Sequence, residues 1–189
     1  MGVAKLGAEM SDAVGGLVRC RLDVEEEVRG VLARVELAPV ERLRAILEPG
    51  HRGSRFFTGQ GRSGLIARLA AMRVMHLGGS SHVVGDVTAP AFGREDTLVV
   101  ISASGKTPAS LLHARMAHDI GGVVCCLTIE PRSPIALLSD PCVVLPAQGS
   151  AQFGSVLFTQ AALLLLDGVF LSLSRGQDEF MWQLHANLE

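Results

Sequence analysis

Aromatic residues and an excess of charge of either sign are both missing from this 189-residue sequence. It has no tyrosine, one tryptophan and seven phenylalanines, and its 17 basic and 19 acidic residues give a formal net charge of −2. Nucleic-acid recognition needs a basic surface, or aromatic rings on which bases stack, so we expect no nucleic-acid partner. The hydrophobic content of 48% excludes a disordered chain and is enough for one domain with a sizeable core.

The four cysteines lack the paired spacing of a metal site or of a disulfide framework. Cys125 and Cys126 are adjacent in an apolar run, and Cys20 and Cys142 are distant from both in sequence. We therefore predict buried, reduced thiols, no metal site and a cytoplasmic location. The first 16 residues lack the long apolar core of a secretory signal, so we also expect no export.

One hydrophobic run, residues 155–174, is long enough to span a membrane. Asp167 lies near its middle, where a charge costs about 2.5–3.5 kcal/mol on insertion. Thr159 and Gln160 add further polar groups to the run. We interpret the segment as a buried core helix and expect no membrane partner.

The N-terminal part of the chain has helical periodicity. Val24, Val28, Val31 and Val35 form one amphipathic stripe, and Pro39 is predicted to interrupt it before a second, short helix. The amphipathic stripe is suited to subunit packing, or equally to packing on its own domain.

Beyond residue 54, short apolar runs alternate with helical stretches. The predicted strands are 55–58, 81–85, 97–102, 123–128 and 142–145, and the predicted helices are 62–77, 107–120, 133–138 and 154–174. This alternation indicates an α/β fold in which a parallel sheet is covered on both faces. We predict a single domain, with N-terminal helices over 1–48, an α/β core over 49–175 and a C-terminal helical tail over 176–189.

The first predicted strand is followed by a glycine-rich loop and then directly by a helix. The loop contains Gly59, Gly61 and Gly64, and Asp86 follows the next strand. This spacing matches a dinucleotide-binding fingerprint, but glycines beside a helix N-terminus suit any phosphate, because the backbone N–H groups can approach the anion. Arg62 in this loop either adds a positive charge near that anion or faces solvent.

A second strand-to-helix junction favours a phosphosugar over a dinucleotide. Ser102, Ser104 and Thr107 supply three hydroxyls around Gly105, where backbone and side-chain groups can donate together to a phosphate. The alternative is an ordinary helix N-cap by Ser104 or Thr107, although a cap needs only one hydroxyl. A dinucleotide site does not require this second loop, whereas a phosphosugar site uses both.

Three segments resemble the SIS (sugar isomerase) domain family and, within it, the 6-phospho-3-hexuloisomerases. They read GQGRSGLIARLAAMRVMHLG, HVVGDVTAP and LVVISASGKT, and the chain ends in HANLE, as members of that group do. The resemblance implies a three-layer, flavodoxin-like α/β/α sandwich with a five-stranded parallel sheet, assembled as a homodimer or homotetramer. It also implies conversion of 3-hexulose 6-phosphate to fructose 6-phosphate in the ribulose monophosphate route of formaldehyde fixation.

The resemblance assigns the phosphate to Ser63, Ser102, Ser104 and Thr107. Asp86 is expected either to hydrogen-bond sugar hydroxyls or to form a turn. The full expected set for substrate and phosphate binding is Gly61, Arg62, Ser63, Asp86, Ser102, Ser104, Gly105, Lys106 and Thr107.

Moving a carbonyl between C3 and C2 proceeds through an enediol, which needs a base and an acid but no metal and no redox cofactor. The candidates are His185 and Glu189, which share one face of a helix if the tail is helical. The resemblance implies that this tail contributes to an active site, that of a neighbouring subunit. The alternative is that both are polar residues of a frayed terminus.

Two positions depart from the SIS pattern. Lys106 replaces a glutamate in the serine loop, which favours anion binding, and Thr159 stands where the family carries a glutamate taken as the enolising base. The loop over 146–154 is also shorter than usual. Because threonine is no base at neutral pH, either His185 or Glu189 transfers the proton, or the protein is a non-catalytic phosphosugar sensor. An isomerase of another sugar phosphate is a further alternative.

Overall fold

The computed structural model of the protein describes residues 3–188, with side chains from residue 14 onward. Its helices are α1 Val3–Leu32, α2 Leu37–Leu47, α3 Arg62–His76, α4 Pro108–Ile120, α5 Val156–Ser174 and α6 Asp178–Leu184. Its strands are β1 Arg55–Gly59, β2 Ser81–Val83, β3 Thr97–Ile101, β4 Val123–Thr128 and β5 Cys142–Val144. The predicted helix over 133–138 is a single 3₁₀ turn, Ala136–Leu138.

The five strands form one parallel sheet in the order β2-β1-β3-β4-β5, which confirms the predicted sheet. β1 and β3 are neighbours, and Gly59 is paired with Ile101 at their carboxyl ends. The two glycine-and-hydroxyl loops therefore leave the sheet side by side, at the edge where ligands bind in open α/β sheets.

Alternation along the strands builds one core on each face of the sheet. Phe57 and Val99 point towards α1, α2, α3 and α5 in the larger core, whereas Phe56 and Leu98 point towards α4 and the 3₁₀ turn in the smaller one. The sheet is thus covered on both faces, and the expected three-layer sandwich is confirmed.

α5 is a core helix of this sandwich, although by length and composition it could also cross a membrane. Phe158, Ala162, Leu166 and Phe170 on its inner side are buried against α1, α2 and α3. Asp167, the charge near its middle, accepts a hydrogen bond from Arg73 of α3 at 3.2 Å. The apolar length of α5 therefore reflects its central position between helices.

Three local expectations are wrong. The helix break lies after Leu32, and Pro39 stands in the first turn of α2, where a missing N–H leaves no hydrogen bond unmade. The tail helix α6 ends at Leu184 and His185 is extended, so His185 is not part of a helical face. Cys20 is exposed rather than buried, because it belongs to a part of α1 whose side chains do not contact the core.

Candidate functional site

A cavity of about 300 Å³ lies where β1 and β3 end. Its walls come from three elements: the loop before α3, the loop before α4, and the first turn of α5. The polar side chains that line it are Gln60, Arg62, Ser63, Ser102, Ser104, Thr107, Ser155 and Thr159. Both predicted phosphate loops therefore face one cavity.

The loop before α3 is tight because of its glycines. Gly61 has a φ of 56°, a conformation that residues with a side chain rarely adopt. A Cβ on Gly59 would lie 2.7 Å from the backbone carbonyl of Ser63, so only glycine lets α3 begin this close to the strand. The first N–H groups of α3 have no partner within the helix, and Gly61, Arg62 and Ser63 beside them line the cavity.

The loop before α4 brings its hydroxyls together. The Ser102 and Thr107 hydroxyl oxygens are 3.3 Å apart, and the Ser104 hydroxyl accepts a hydrogen bond of 3.2 Å from the backbone N–H of Lys106. Thr107 occupies the N-cap position of α4, but its side chain makes no capping hydrogen bond. The capping alternative therefore does not explain these residues, and all three line the cavity.

This second loop is anchored from behind. Gly105 has a φ of 59°, and a Cβ at this position would lie 1.9 Å from the Ser133 hydroxyl. The Thr128 hydroxyl donates to the carbonyl of Ala103 at 3.1 Å, and the Ile135 N–H donates to the carbonyl of Gly105 at 3.2 Å. The hydroxyl cluster is consequently held in a fixed geometry, as an anion site requires.

Thr159 and Ser155 form the third wall of the cavity. Thr159 is 9% exposed, and its hydroxyl donates to the carbonyl of Val156 at 2.8 Å. With its proton directed at the helix backbone, this hydroxyl offers a ligand only acceptor lone pairs. It is suited to accept from a sugar hydroxyl rather than to donate to a phosphate.

Arg62 is the one ionisable side chain among the described residues that line the cavity. Its guanidinium lies at the entrance, since it is exposed and its Nη2 would be 3.3 Å from a Cβ on Gly154. Lys106 is exposed on the second loop and does not line the cavity. The lining is thus receptive to anions but holds neither a carboxylate nor an imidazole.

Asp86 is not brought to this cavity. Its carboxylate accepts hydrogen bonds of 3.0 and 3.3 Å from Arg68 of α3. It lines a different cavity, also about 300 Å³, together with His113, whose Nδ1 is 2.9 Å from the Thr58 hydroxyl. In this chain Asp86 is therefore an ion-pairing residue that does not line the cavity of the phosphate loops.

His185 is also distant from the cavity of its own chain. Its ring stacks on that of His76, with centroids 5.2 Å apart, at the carboxyl end of α3. Ser63 lies 13 residues earlier on the same helix, and the rise of 1.5 Å per residue separates the two ends by about 20 Å. Glu189, the other predicted proton-transfer residue, lies outside the described residues.

The environment of His76 disfavours its charged form. Burial lowers the pKa of His76, and the nearby His185 and Arg73 lower it further. The neutral imidazole is thus the form that packs beneath the tail.

Comparison with known proteins identifies the family. The family model of the SIS domain matches residues 51–172. The chain belongs to the SIS family. A protein of Mycobacterium gastri named 3-hexulose-6-phosphate isomerase is 39% identical over 178 residues, which cover 88% of this chain and 88% of the relative. A protein of the same name from Bacillus subtilis (strain 168) is 37% identical over 146 residues, covering 71% of this chain and 79% of the relative.

A solved structure of a hypothetical protein from Methanococcus jannaschii shares the SIS fold, with a TM-score of 0.77 and 27% identity. The match covers 88% of this chain and 97% of that one, and the description of that structure infers a 3-hexulose-6-phosphate isomerase function. The predicted resemblance to SIS proteins, and within them to 6-phospho-3-hexuloisomerases, is confirmed.

Sequence reasoning missed two polar residues of this SIS cavity, Gln60 and Ser155. Gln60 is the middle residue of the Gly-Gln-Gly turn and carried no signal of its own. Ser155 directly precedes α5, after the loop that follows β5. All strand-to-helix junctions of a parallel sheet meet at one edge, so this third junction could have been included with the first two.

Proposed function

We propose that the protein is a phosphosugar isomerase that converts 3-hexulose 6-phosphate to fructose 6-phosphate through an enediol, in formaldehyde fixation. The observation that carries the proposal is the single cavity formed by both phosphate loops. The relatives that are 37–39% identical and bear the name of this isomerase support the choice of sugar.

The phosphate binds to the hydroxyls of Ser63, Ser102, Ser104 and Thr107 and to the N–H groups at the start of α3, with Arg62 neutralising charge at the entrance. The glycines Gly61 and Gly105 let the backbone come this close. A sugar extending from the phosphate then passes Thr159, whose acceptor lone pairs face the cavity.

Proton transfer requires a base and an acid, and the described residues that line this cavity include no carboxylate and no imidazole. We infer that a second copy of the chain supplies them. His185 lies at the end of α3 about 20 Å from Ser63, too far to reach the cavity of the same chain. The tail of an adjoining subunit could instead place its His185 at this cavity. His185 and Glu189 of a neighbour would then act as the base and acid that remove the proton from C2 and return one to C3 through the 2,3-enediol, while the proton on the C2 hydroxyl passes to the C3 oxygen.

The N-terminal helix supports such an assembly, a homodimer or homotetramer. The side chains of residues 14–23 are all exposed, yet they include Val14, Leu17, Val18 and Leu22 on one stripe. An isolated helical segment with an uncovered apolar stripe is marginal in water, so a partner helix is the expected cover. We propose a soluble, cytoplasmic oligomer.

The test is conversion of 3-hexulose 6-phosphate by the purified protein, with fructose 6-phosphate identified as the product. Ser104→Ala is expected to weaken substrate binding, and His185→Ala to lower kcat. A panel of other ketose and aldose phosphates, read by product identity, decides whether another sugar is preferred. Absence of turnover in the purified wild-type protein would contradict the enzyme proposal.

Mixing two impaired variants, assayed at a substrate concentration below KM, tests the shared site. Ser102→Ala damages the cavity and His185→Ala damages the tail. A mixed dimer therefore contains one site in which an intact cavity meets an intact tail. Random reassociation is expected to restore about a quarter of wild-type activity. Failure to restore activity, with mixed oligomers verified by mass spectrometry, would place cavity and tail in the same subunit.

A second candidate is a non-catalytic phosphosugar sensor, favoured by Thr159 in place of the family's glutamate. It predicts thermal stabilisation by hexose phosphates, none by NAD, and no isomerisation. Activity gained by Thr159→Glu would then identify the missing base as the cause.

A further inference from the structure

Glu27 of α1 holds the loop between β5 and α5. Its carboxylate accepts hydrogen bonds from the Ser150 hydroxyl at 2.8 Å, the Ala151 N–H at 3.1 Å and the Gln152 side-chain amide at 2.8 Å. Three consecutive loop residues thus donate to one side chain that lies more than 120 positions away in sequence.

A residue in the turn after α1 strengthens this contact. Arg34, two positions beyond the end of α1, donates to the carbonyl of Pro146 at 3.0 Å, where the loop begins. Within the loop, the Ser150 hydroxyl also accepts a hydrogen bond of 2.9 Å from the N–H of Gln152. The loop has no helix or strand of its own, so Glu27 and Arg34 provide a large part of its support.

The end of the same loop forms part of the cavity. Ser155 lies three residues after Gln152 and lines the cavity wall, and the Arg62 guanidinium is 3.3 Å from where a Cβ on Gly154 would lie. Any displacement of the segment at 150–152 is therefore transmitted to Ser155 and to the space that Arg62 occupies.

The charge of Glu27 is suited to this role. Hydrogen bonds from Gln152, Ser150 and Ala151 lower its pKa below the usual value for a glutamate. The carboxylate is consequently ionised at neutral pH and accepts from all three donors at once.

We infer that Glu27 is a positioning residue for phosphosugar binding, which sets the placement of Ser155 and Arg62 through the 146–155 loop. The inference rests on the proposed function, since it concerns the same cavity. Glu27 itself touches no ligand in this arrangement, so its effect is expected on substrate affinity rather than on proton transfer.

The experiment compares Glu27→Ala and Glu27→Gln with Glu26→Ala, a matched control that removes the neighbouring exposed carboxylate of α1. Each variant is assayed for KM and kcat with 3-hexulose 6-phosphate and, by calorimetry, for the Kd of fructose 6-phosphate. Glu27→Ala is expected to raise KM and Kd about tenfold with kcat within about twofold. Glu27→Gln should recover part of the affinity, because its amide oxygen still accepts hydrogen bonds, and Glu26→Ala should match the wild type.

A double variant protects the test against misfolding of α1. Ser150→Ala combined with Gln152→Ala removes two donors from the loop and leaves the helix unchanged, and it should reproduce the loss of affinity. Unchanged KM and Kd in both Glu27→Ala and the double variant would overturn the inference while leaving the proposed function in place. If the wild type binds fructose 6-phosphate but does not isomerise it, the isomerase proposal is overturned. The effect of Glu27→Ala on the Kd of fructose 6-phosphate then still tests the role of Glu27. A wild type that binds no phosphosugar would overturn both.

Discussion

The imidazole of His185 lies flat against that of His76, with 12° between the ring planes. This stack attaches the last described residues to the carboxyl end of α3, at the opposite end of that helix from the phosphate loops. Trp182 completes the contact, with its ring centroid 5.2 Å from that of His185. A residue predicted to act in catalysis is thereby held in an exposed position.

The stack makes attachment of the tail dependent on pH. Burial lowers the pKa of His76, so the unfolded chain binds a proton more readily than the folded one, and stability is lost as pH falls below about 6.5. The urea midpoint of the wild type should therefore decline more between about pH 7.5 and 5.5 than that of His76→Gln. Emission of Trp182, the single tryptophan, reports release of the tail in the same titration. Parallel declines in the two proteins would contradict this account of His76.

Ser102 and Thr107 should contribute strongly to affinity for the phosphate. Each hydroxyl can donate to the anion, and a hydrogen bond to a charged group contributes about 1.5–3 kcal/mol. Ser102→Ala is expected to raise the Kd of fructose 6-phosphate about tenfold to a hundredfold, as measured by calorimetry. The affinity for inorganic phosphate should fall in the same proportion. A loss of affinity confined to the sugar phosphate would show instead that Ser102 contacts the sugar.

Gly105→Ala should disrupt both the fold and the site. Its φ of 59° is unfavourable for alanine, and the added Cβ would meet the Ser133 hydroxyl. Gly149→Ala is the matched control, because Gly149 has a φ of 76° but open space around it. The control should lose about 1 kcal/mol of unfolding free energy from backbone strain alone, and Gly105→Ala distinctly more. Equal losses of unfolding free energy in the two variants, measured by urea denaturation, would show that the loop shifts to accommodate the added methyl group.

Ser110→Ala should stabilise the protein. Ser110 is fully buried on α4, and its hydroxyl has no hydrogen-bond partner among the described residues. Replacing an unsatisfied buried hydroxyl by a hydrogen removes a desolvation cost of about 1 kcal/mol or more. The measurement is the free energy of unfolding, and the Kd of fructose 6-phosphate should not change.

The fold could be predicted because local patterns agree with it. Apolar runs such as Val123–Thr128 are strands in the structure with the predicted bounds, and Gly61, in the turn from β1 to α3, has a positive φ that glycine adopts readily. Both phosphate loops were predicted for the same reason, since parallel strands bring their carboxyl ends to one edge.

What could not be predicted depends on contacts between distant segments. The ion pair of Asp86 with Arg68 crosses from a loop to a helix, and no spacing rule indicates it. The position of His185 depends on how α6 packs at the end of α3, where Phe180 approaches Gly78. The role of Glu27 likewise depends on α1 lying beside a loop from the other end of the chain.

The exposed side chains of residues 14–23 in α1 have a consequence for how the protein should be handled. A 30-residue helix is about 45 Å long. The helix α1 carries both the uncovered apolar stripe, which ends at Leu22, and Glu27 just beyond it. In the oligomer proposed above, dilution that separates the subunits would leave the stripe in water and weaken the packing of α1. Affinity for the sugar phosphate would then fall with protein concentration, and dilute assays would underestimate what the protein does at cellular abundance.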